Sequence, residues 1–236
     1  MMQKVPLIIF GTEDFAEIAY EYFSQDSNYQ VVAFTVEKAF MNYTEKFNLP
    51  VIPFEEIELK VDPSQHSFFA AVTYTNLNDF RSEILLKAKN LGFKPASYIS
   101  SRSFVWPNVN FGEHCFIFEN NTIQPFVSIG NNVIMWSGNH IGHHSRIMDN
   151  NFFSSHVVVS GNCLISSNCF FGVNSTISNN ISIGARSWVG PGAVLTRNLQ
   201  AGSLVTNSSA EIKNLDEKLL NEKLKKISKK DLDFID

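Results

Sequence analysis

Residues 123–147 read IQPFVSIGNNVIMWSGNHIGHHSRI, and every sixth residue is isoleucine or methionine: Ile123, Ile129, Met135, Ile141 and Ile147. The same step holds in both directions. From Ile99 to Ala201 it meets eighteen positions, and all are apolar. At 44% hydrophobic composition, chance gives such a run with odds of roughly 10⁻⁶. The position after each apolar residue holds seven of the chain's twelve glycines, Gly142 and Gly190 among them, and five serines.

Six is the period of neither a helix nor a plain strand. It is the period of a parallel β-helix built from hexapeptides. Each hexad supplies a short strand and a corner, and three hexads close one triangular coil, so the eighteen make six coils. The pattern predicts a β-helix over 99–206. The first residue of each hexad should point inward and stack on its equivalent one coil away, about 4.8 Å distant. The small residue after it should turn the corner, and the register should run unbroken to Ala201.

Cys115, Cys163 and Cys169 all fall at the fifth position of their hexads. Cys163 and Cys169 belong to different faces, and Cys115 and Cys169 lie three coils apart in one column. No disulfide is expected, and all three read as buried small residues. Residues 99–206 hold only three carboxylates (Glu113, Glu119, Asp149), four arginines and no lysine. So little charge implies that part of this surface is covered, and a subunit interface is the expectation.

The flanks read differently. Val5–Phe10, Tyr29–Phe34 and Ser67–Val72 read as strands, with helices from about Asp14 to Phe23 and Asn78 to Asn90. That alternation predicts a small Rossmann-like α/β domain over 1–98 with a parallel sheet. Its ligand site should lie beyond the carboxyl ends of the strands, at the turn around Gly11 and Thr12. The tail, 207–236, spaces Leu215, Leu219, Leu220, Leu224 and Ile227 as an amphipathic helix. A net charge of −4 gives no basic surplus for nucleic acid. No apolar run reaches eighteen residues and no signal-peptide pattern opens the chain, so a cytoplasmic protein without membrane insertion is expected.

A small α/β domain before a hexapeptide β-helix resembles the sugar acyltransferases of the sialic-acid O-acetyltransferase and bacillosamine-pathway N-acetyltransferase family. The likeness covers about 1–206. It is strongest over 141–198, in the segments IGHHS, VSGNCLISSNCFFGVNSTI and WVGPGAVLTRN. The resemblance implies a left-handed β-helix, a homotrimer and an active site between adjacent β-helices. It implies transfer of acetyl from acetyl-CoA, with no metal, to a nucleotide-linked (dTDP- or UDP-) amino sugar for surface glycan or lipopolysaccharide O-antigen assembly. Transfer to a sugar hydroxyl is the alternative.

By the same resemblance His143, third in its hexad, is the general base. A histidine suits that role at neutral pH. A backbone N–H near a corner glycine should bind the thioester oxygen. Gly161, Val173, Gly190 and Ala193 should contact CoA. His140, His144, His156 and Asp149 are candidates for orienting the substrate. Many relatives place an acid directly after the base. His144 stands there instead, which leaves Glu113, Glu119 or Asp149, from this or an adjacent subunit, to orient His143.

The first turn, Gly11-Thr12-Glu13-Asp14, keeps one glycine of the family's phosphate loop and adds two acids. Gly11, Thr12 and Arg81 are the candidates for nucleotide binding, although a solvated arginine is the more natural reading of Arg81. His66 and His114 read as surface residues. Three other readings fit parts of the sequence. A zinc-dependent β-helix lyase needs three histidines at a defined spacing, and the gaps between His140, His143 and His144 are three and one. A folate-dependent formyltransferase is suggested only by IIFGTEDFA. A non-catalytic trimeric scaffold would lack a base.

Overall fold

The computed structural model describes residues 4–207 and 217–219. The chain opens with β1 (Val5–Phe10), α1 (Asp14–Gln25), β2 (Tyr29–Val36), β3 (Glu45–Lys46), β4 (Leu49–Pro53), α2 (Ile57–Lys60), β5 (Ser67–Ala70), α3 (Asp79–Asn90) and β6 (Lys94–Pro95). These strands form one sheet in the order β3-β4-β2-β1-β5-β6. All neighbours are parallel except the β3–β4 hairpin. The three expected strands and both helices are present, and β3, β4 and β6 are additional. Pro50 and Pro53 disguise β4, because proline cannot donate to a ladder. The chain leaves central β1 for β2 on one side and then crosses to β5 on the other. That reversal opens a crevice at the carboxyl end of β1.

From Tyr98 on, strands of two residues stack into three sheets of seven, six and five strands. Face one runs from Tyr98–Ile99 to Leu204–Val205, face two from Phe104–Val105 to Val194–Leu195, and face three from Asn110–Phe111 to Ser182–Ile183. Pairing advances by one coil, as in Ile117↔Met135 and Ile123↔Ile141. The second residue of each strand is the periodic one, and Ile117, Ile141, Ile147, Phe153, Ile165 and Phe171 are buried in a single core.

Two expectations are corrected. The register does shift in the final coil, where Ile183 pairs with Leu199 and Val189 with Val205, sixteen residues on. There Asn198 accepts from the Ser182 N–H through its side chain (2.8 Å), and Leu199 donates to Ser182 O (3.0 Å). The coil closes early, and Ala201 lies outside the column and exposed. The corner itself is made at the fourth position of the hexad, not the second. Seven asparagines from Asn120 to Asn180 adopt positive φ there, joined by His114, His144, His156, Phe126, Arg186, Gly138 and Gly192. Asparagine tolerates the left-handed region because its short side chain bonds locally. Gly142 serves another purpose: a Cβ there would lie 2.5 Å from Gly161 N of the next coil. Its smallness lets coils stack.

The first domain lies on face one. The outward row of that face is Phe116, Ile134, Phe152 and Phe170, all buried against Phe15, Phe23, Phe69 and their neighbours. The seam is aromatic, with Phe69–Phe116 ring centroids 5.1 Å apart, Phe23–Phe116 5.6 Å and Tyr74–Phe170 4.7 Å. Part of the charge-poor surface is therefore covered by the chain's own first domain. The cysteines are free and buried. The expected helical tail falls outside the described residues except for Glu217–Leu219. Among the described residues, no helix is long and apolar enough to cross a membrane.

Candidate active site at a β-helix corner

His143 stands at the corner between faces two and three, exposed to solvent. Its backbone N–H donates to the Gln124 side chain of the preceding coil (2.9 Å). Its imidazole lies over Gly161 of the following coil, where a Cβ would come within 2.7 Å of Cε1 and 2.8 Å of Nε2. Only glycine leaves room for the ring. His144 takes the left-handed corner at φ +59°. That turn swings its ring against Phe126, with centroids 4.6 Å apart and planes 29° apart. The Nδ1 atoms of His143 and His144 face each other at 3.1 Å, with the ring planes 85° apart. Phe126 is 60% exposed. The arrangement is an imidazole fixed below by glycine and at the side by a second imidazole. Such a group can take a proton from a bound amine or hydroxyl.

The other candidates scatter. His140 points outward from face two, between Thr122 and Val158 of the adjacent coils. His156 makes the corner between faces one and two, its ring against Gly138. Asp149 lies at the corner between faces three and one and accepts from Asn131 N (2.7 Å). Glu113 pairs with Lys89. Glu119 accepts from Tyr22 Oη (2.7 Å) and Ser137 Oγ (2.6 Å). No one of these acids meets His143 within the chain, because the 18-residue coil holds all three at corners other than that of His143.

The N–H groups of the candidate glycines are bonded within the β-helix. Gly142 N–H donates to Val159 O (2.7 Å), and Gly161 N–H to the Asn179 side chain (2.9 Å). Gly190 N–H donates to Val205 O (2.8 Å). Ala193 belongs to the interior, 4% exposed, and donates to Gly190 O (3.3 Å). Its side chain points inward, as those of the cysteines do at the same hexad position. Val173 is exposed at the corner between faces one and two.

A second concavity of about 700 Å³ opens beyond β1 and β2 in the first domain. Gly11 and Thr12 line it as expected. Gly11, at φ +110°, passes so close to β5 that a Cβ would lie 3.0 Å from Ala71 O. Glu13, Asp14 and Glu37 line the same cavity, together with Phe40, Asn42 and Phe80, and among the described residues no lysine or arginine does. Glu37 was missed by the sequence reading. It follows the end of β2, where dinucleotide-binding folds place an acid for ribose hydroxyls, and that position was the available signal.

Arg81 is not a phosphate ligand. It is fully buried at the domain junction, 5.2 Å from the Phe69 ring centroid. Its donors go to Ala70 O (3.0 Å), His114 O (3.1 Å) and the Asn132 side chain. Burial pushes its guanidinium down to about 9. His114, expected on the surface, is buried beside it. Ala70 N–H donates to His114 Nε2 (2.9 Å), so the His114 proton sits on Nδ1, facing Asn132 Oδ1 (2.8 Å). Burial, and then the Arg81 charge, hold His114 well below the usual histidine range. Among the described residues no group of three or more His, Cys, Asp or Glu could hold a metal ion.

No family model and no curated protein matches the chain. Solved structures do. The acetyltransferase domain of PglB from Neisseria gonorrhoeae FA1090, in complex with acetyl coenzyme A, superposes with TM-score 0.76. It is 19% identical, over 89% of this chain and all of that one. A mutant of perosamine N-acetyltransferase from Caulobacter crescentus, in complex with CoA and GDP-perosamine, gives 0.77 at 21% identity, over 89% and 97%. The fold is that of these acetyltransferases. WeeI from Acinetobacter baumannii AYE gives 0.72 at 17% identity, over 88% and 99%. The likeness takes in both the left-handed β-helix and the α/β domain in front of it.

Proposed function

We propose that the protein is an acetyl-CoA-dependent N-acetyltransferase acting on a nucleotide-linked amino-deoxy sugar in surface glycan assembly. The observation that carries this reading is His143, an exposed imidazole held over Gly161 at a β-helix corner in a fold shared with CoA-bound sugar acetyltransferases. His143 Nε2 removes a proton from the acceptor amine as it attacks the thioester carbonyl. The carbon–sulfur bond breaks, and the proton passes to the departing CoA thiolate. The buried cysteines take no part. Burial pushes the thiols of Cys115, Cys163 and Cys169 up, away from the thiolate that an acyl-enzyme would need.

The working unit is a homotrimer. His143 and Gly161 lie at the corner between faces two and three, and Val173 and Gly190 at the corner between faces one and two. One face separates these corners in a single chain, and a second copy set beside it would bring them together. Face two is the surface suited to that contact. Its outward row is Phe104, Thr122, His140, Val158, Thr176 and Val194, with no Lys, Arg, Asp or Glu. The cavity at Gly11, Thr12 and Glu37 would hold the nucleoside. With no cation lining it, phosphate would be bound by the backbone amides at the start of α1.

The test is thiol release from acetyl-CoA with UDP-, dTDP- and GDP-linked amino sugars and with matched sugars bearing only hydroxyls. Release with amino sugars alone is expected. Release only with hydroxyl acceptors would replace N-transfer by O-transfer, and no release with any acceptor would overturn the reading. Light scattering should give three chains per particle.

A further inference from the structure

We propose that His144, locked by Phe126, is the positioning residue that sets the tautomer of His143. This rests on the reading of His143 as the base. A base acting through Nε2 must keep its proton on Nδ1, and that proton needs an acceptor. Among the described residues no carboxylate of the β-helix reaches it: Glu113, Glu119 and Asp149 are each bonded at other corners. The atom that does lie within hydrogen-bond distance of His143 Nδ1 is His144 Nδ1, at 3.1 Å. Two neutral imidazoles sharing one proton there have one donor and one acceptor, and a base acting through Nε2 of His143 makes His143 the donor and His144 the acceptor. His144 then carries its own proton on Nε2, and His143 Nε2 is left with a free lone pair above Gly161.

Three constraints hold the pair. The left-handed backbone of His144 turns its side chain back toward the preceding coil. The stacked ring of Phe126 fixes the plane of that side chain. Gly161 admits the His143 ring beneath. This also gives the exposed Phe126 a purpose, since a phenylalanine at a left-handed corner is otherwise an unfavourable choice. The groups that meet the pair from the neighbouring coils are Gln124 and Pro125 at the backbone and Phe126 and Gly161 at the rings, none of which titrates.

The test uses the full-length protein labelled with ¹⁵N-histidine. Its variants are His144→Gly, since glycine makes the same corner at Gly138 and Gly192, and His144→Asp, which tolerates that backbone and restores an acceptor. In long-range ¹H–¹⁵N spectra the wild type should show His143 protonated on Nδ1. His144→Gly should move it toward the Nε2–H form that free imidazole prefers, and His144→Asp should return it. In acetyl transfer, His144→Gly should lose about 10²-fold in kcat with the KM for acetyl-CoA little changed, and His144→Asp should recover most of the loss. An Nε2–H tautomer in the wild type would overturn the inference, and so would a tautomer unmoved by His144→Gly. Failure of the enzymatic reading shows separately, as absence of transfer by a wild type whose tautomer is as described.

Discussion

Two corners of the β-helix use one backbone geometry for opposite ends. At the corner between faces two and three, Phe126, His144, Asn162 and Asn180 repeat a left-handed residue every coil. At the corner between faces three and one, His114, Asn132, Asn150, Asn168 and Arg186 do the same. The first column faces solvent and holds an open imidazole pair. The second lies along the first domain and is tied into it. Asn132 bonds Arg81, His114 and Asn150, Asn78 Nδ2 donates to Asn150 O (2.7 Å), and Asn168 and Arg186 meet Asp79. Each column contains a histidine at the same place in its hexad. Burial makes His114 a neutral strut, and exposure leaves His144 able to serve a neighbour. The residue type and the backbone do not set the role of a corner. What packs against it does.

The largest effect that would break this contrast is on rate. His143→Ala should cost 10²–10⁴-fold in acetyl transfer, with urea stability unchanged, because the side chain is exposed. A rate within threefold of wild type would remove this corner from the chemistry. Gly161→Val comes next. Its side chain would occupy the space of the His143 ring, and a displacement of this size should lower kcat by about 10²-fold while the fold persists. Equal kcat would mean that the ring is not held where the structure places it.

The same substitution at the two corners sharpens the comparison in stability. Asn132→Ala orphans two donors at the buried junction and forces alanine into the left-handed region. About 3 kcal/mol should be lost in urea denaturation, against about 1 kcal/mol for Asn180→Ala at the exposed corner, where only the backbone term applies. Comparable losses at both would show that the junction adds nothing. Between these lies a pH effect. His114 is held neutral in the folded chain, so the unfolded chain binds the proton first. The stability it contributes is complete above about pH 6.5 and is lost as pH falls, by at most about 1.4 kcal/mol per unit. Denaturation midpoints from pH 7.5 to 5.5 should fall accordingly, and the fall should be absent in His114→Asn. A pH-independent midpoint would mean that His114 is solvated.

Much of this was readable from residue order. A step of six located the coils, the inward column and the buried cysteines, because coil geometry is local and repeats. It also placed His143 at a corner. The asparagine recurring at the fourth position was a further signal, and it would have named the true turning residue. Stepping by eighteen from Tyr98 through Phe116, Ile134, Phe152, Phe170 and Trp188 would have exposed the row that receives the first domain. Arg81 and His114 could not be read this way. Each has an ordinary surface sequence context, and the partners that bury them lie across the domain junction, Asn132 51 residues from Arg81 and Ala70 44 residues from His114.

The sequence by itself determined the period, and with it the coil, the faces and the short list of residues that can stand at a corner. A periodic chain of small and branched residues has few ways to bury every sixth side chain. The tertiary structure decided which corner is covered and which is open, and hence which histidine is locked into the junction and which stays exposed. That outcome depends on where the aromatic face of a separate domain comes to rest, and on contacts between residues far apart in the chain. No local pattern encodes it.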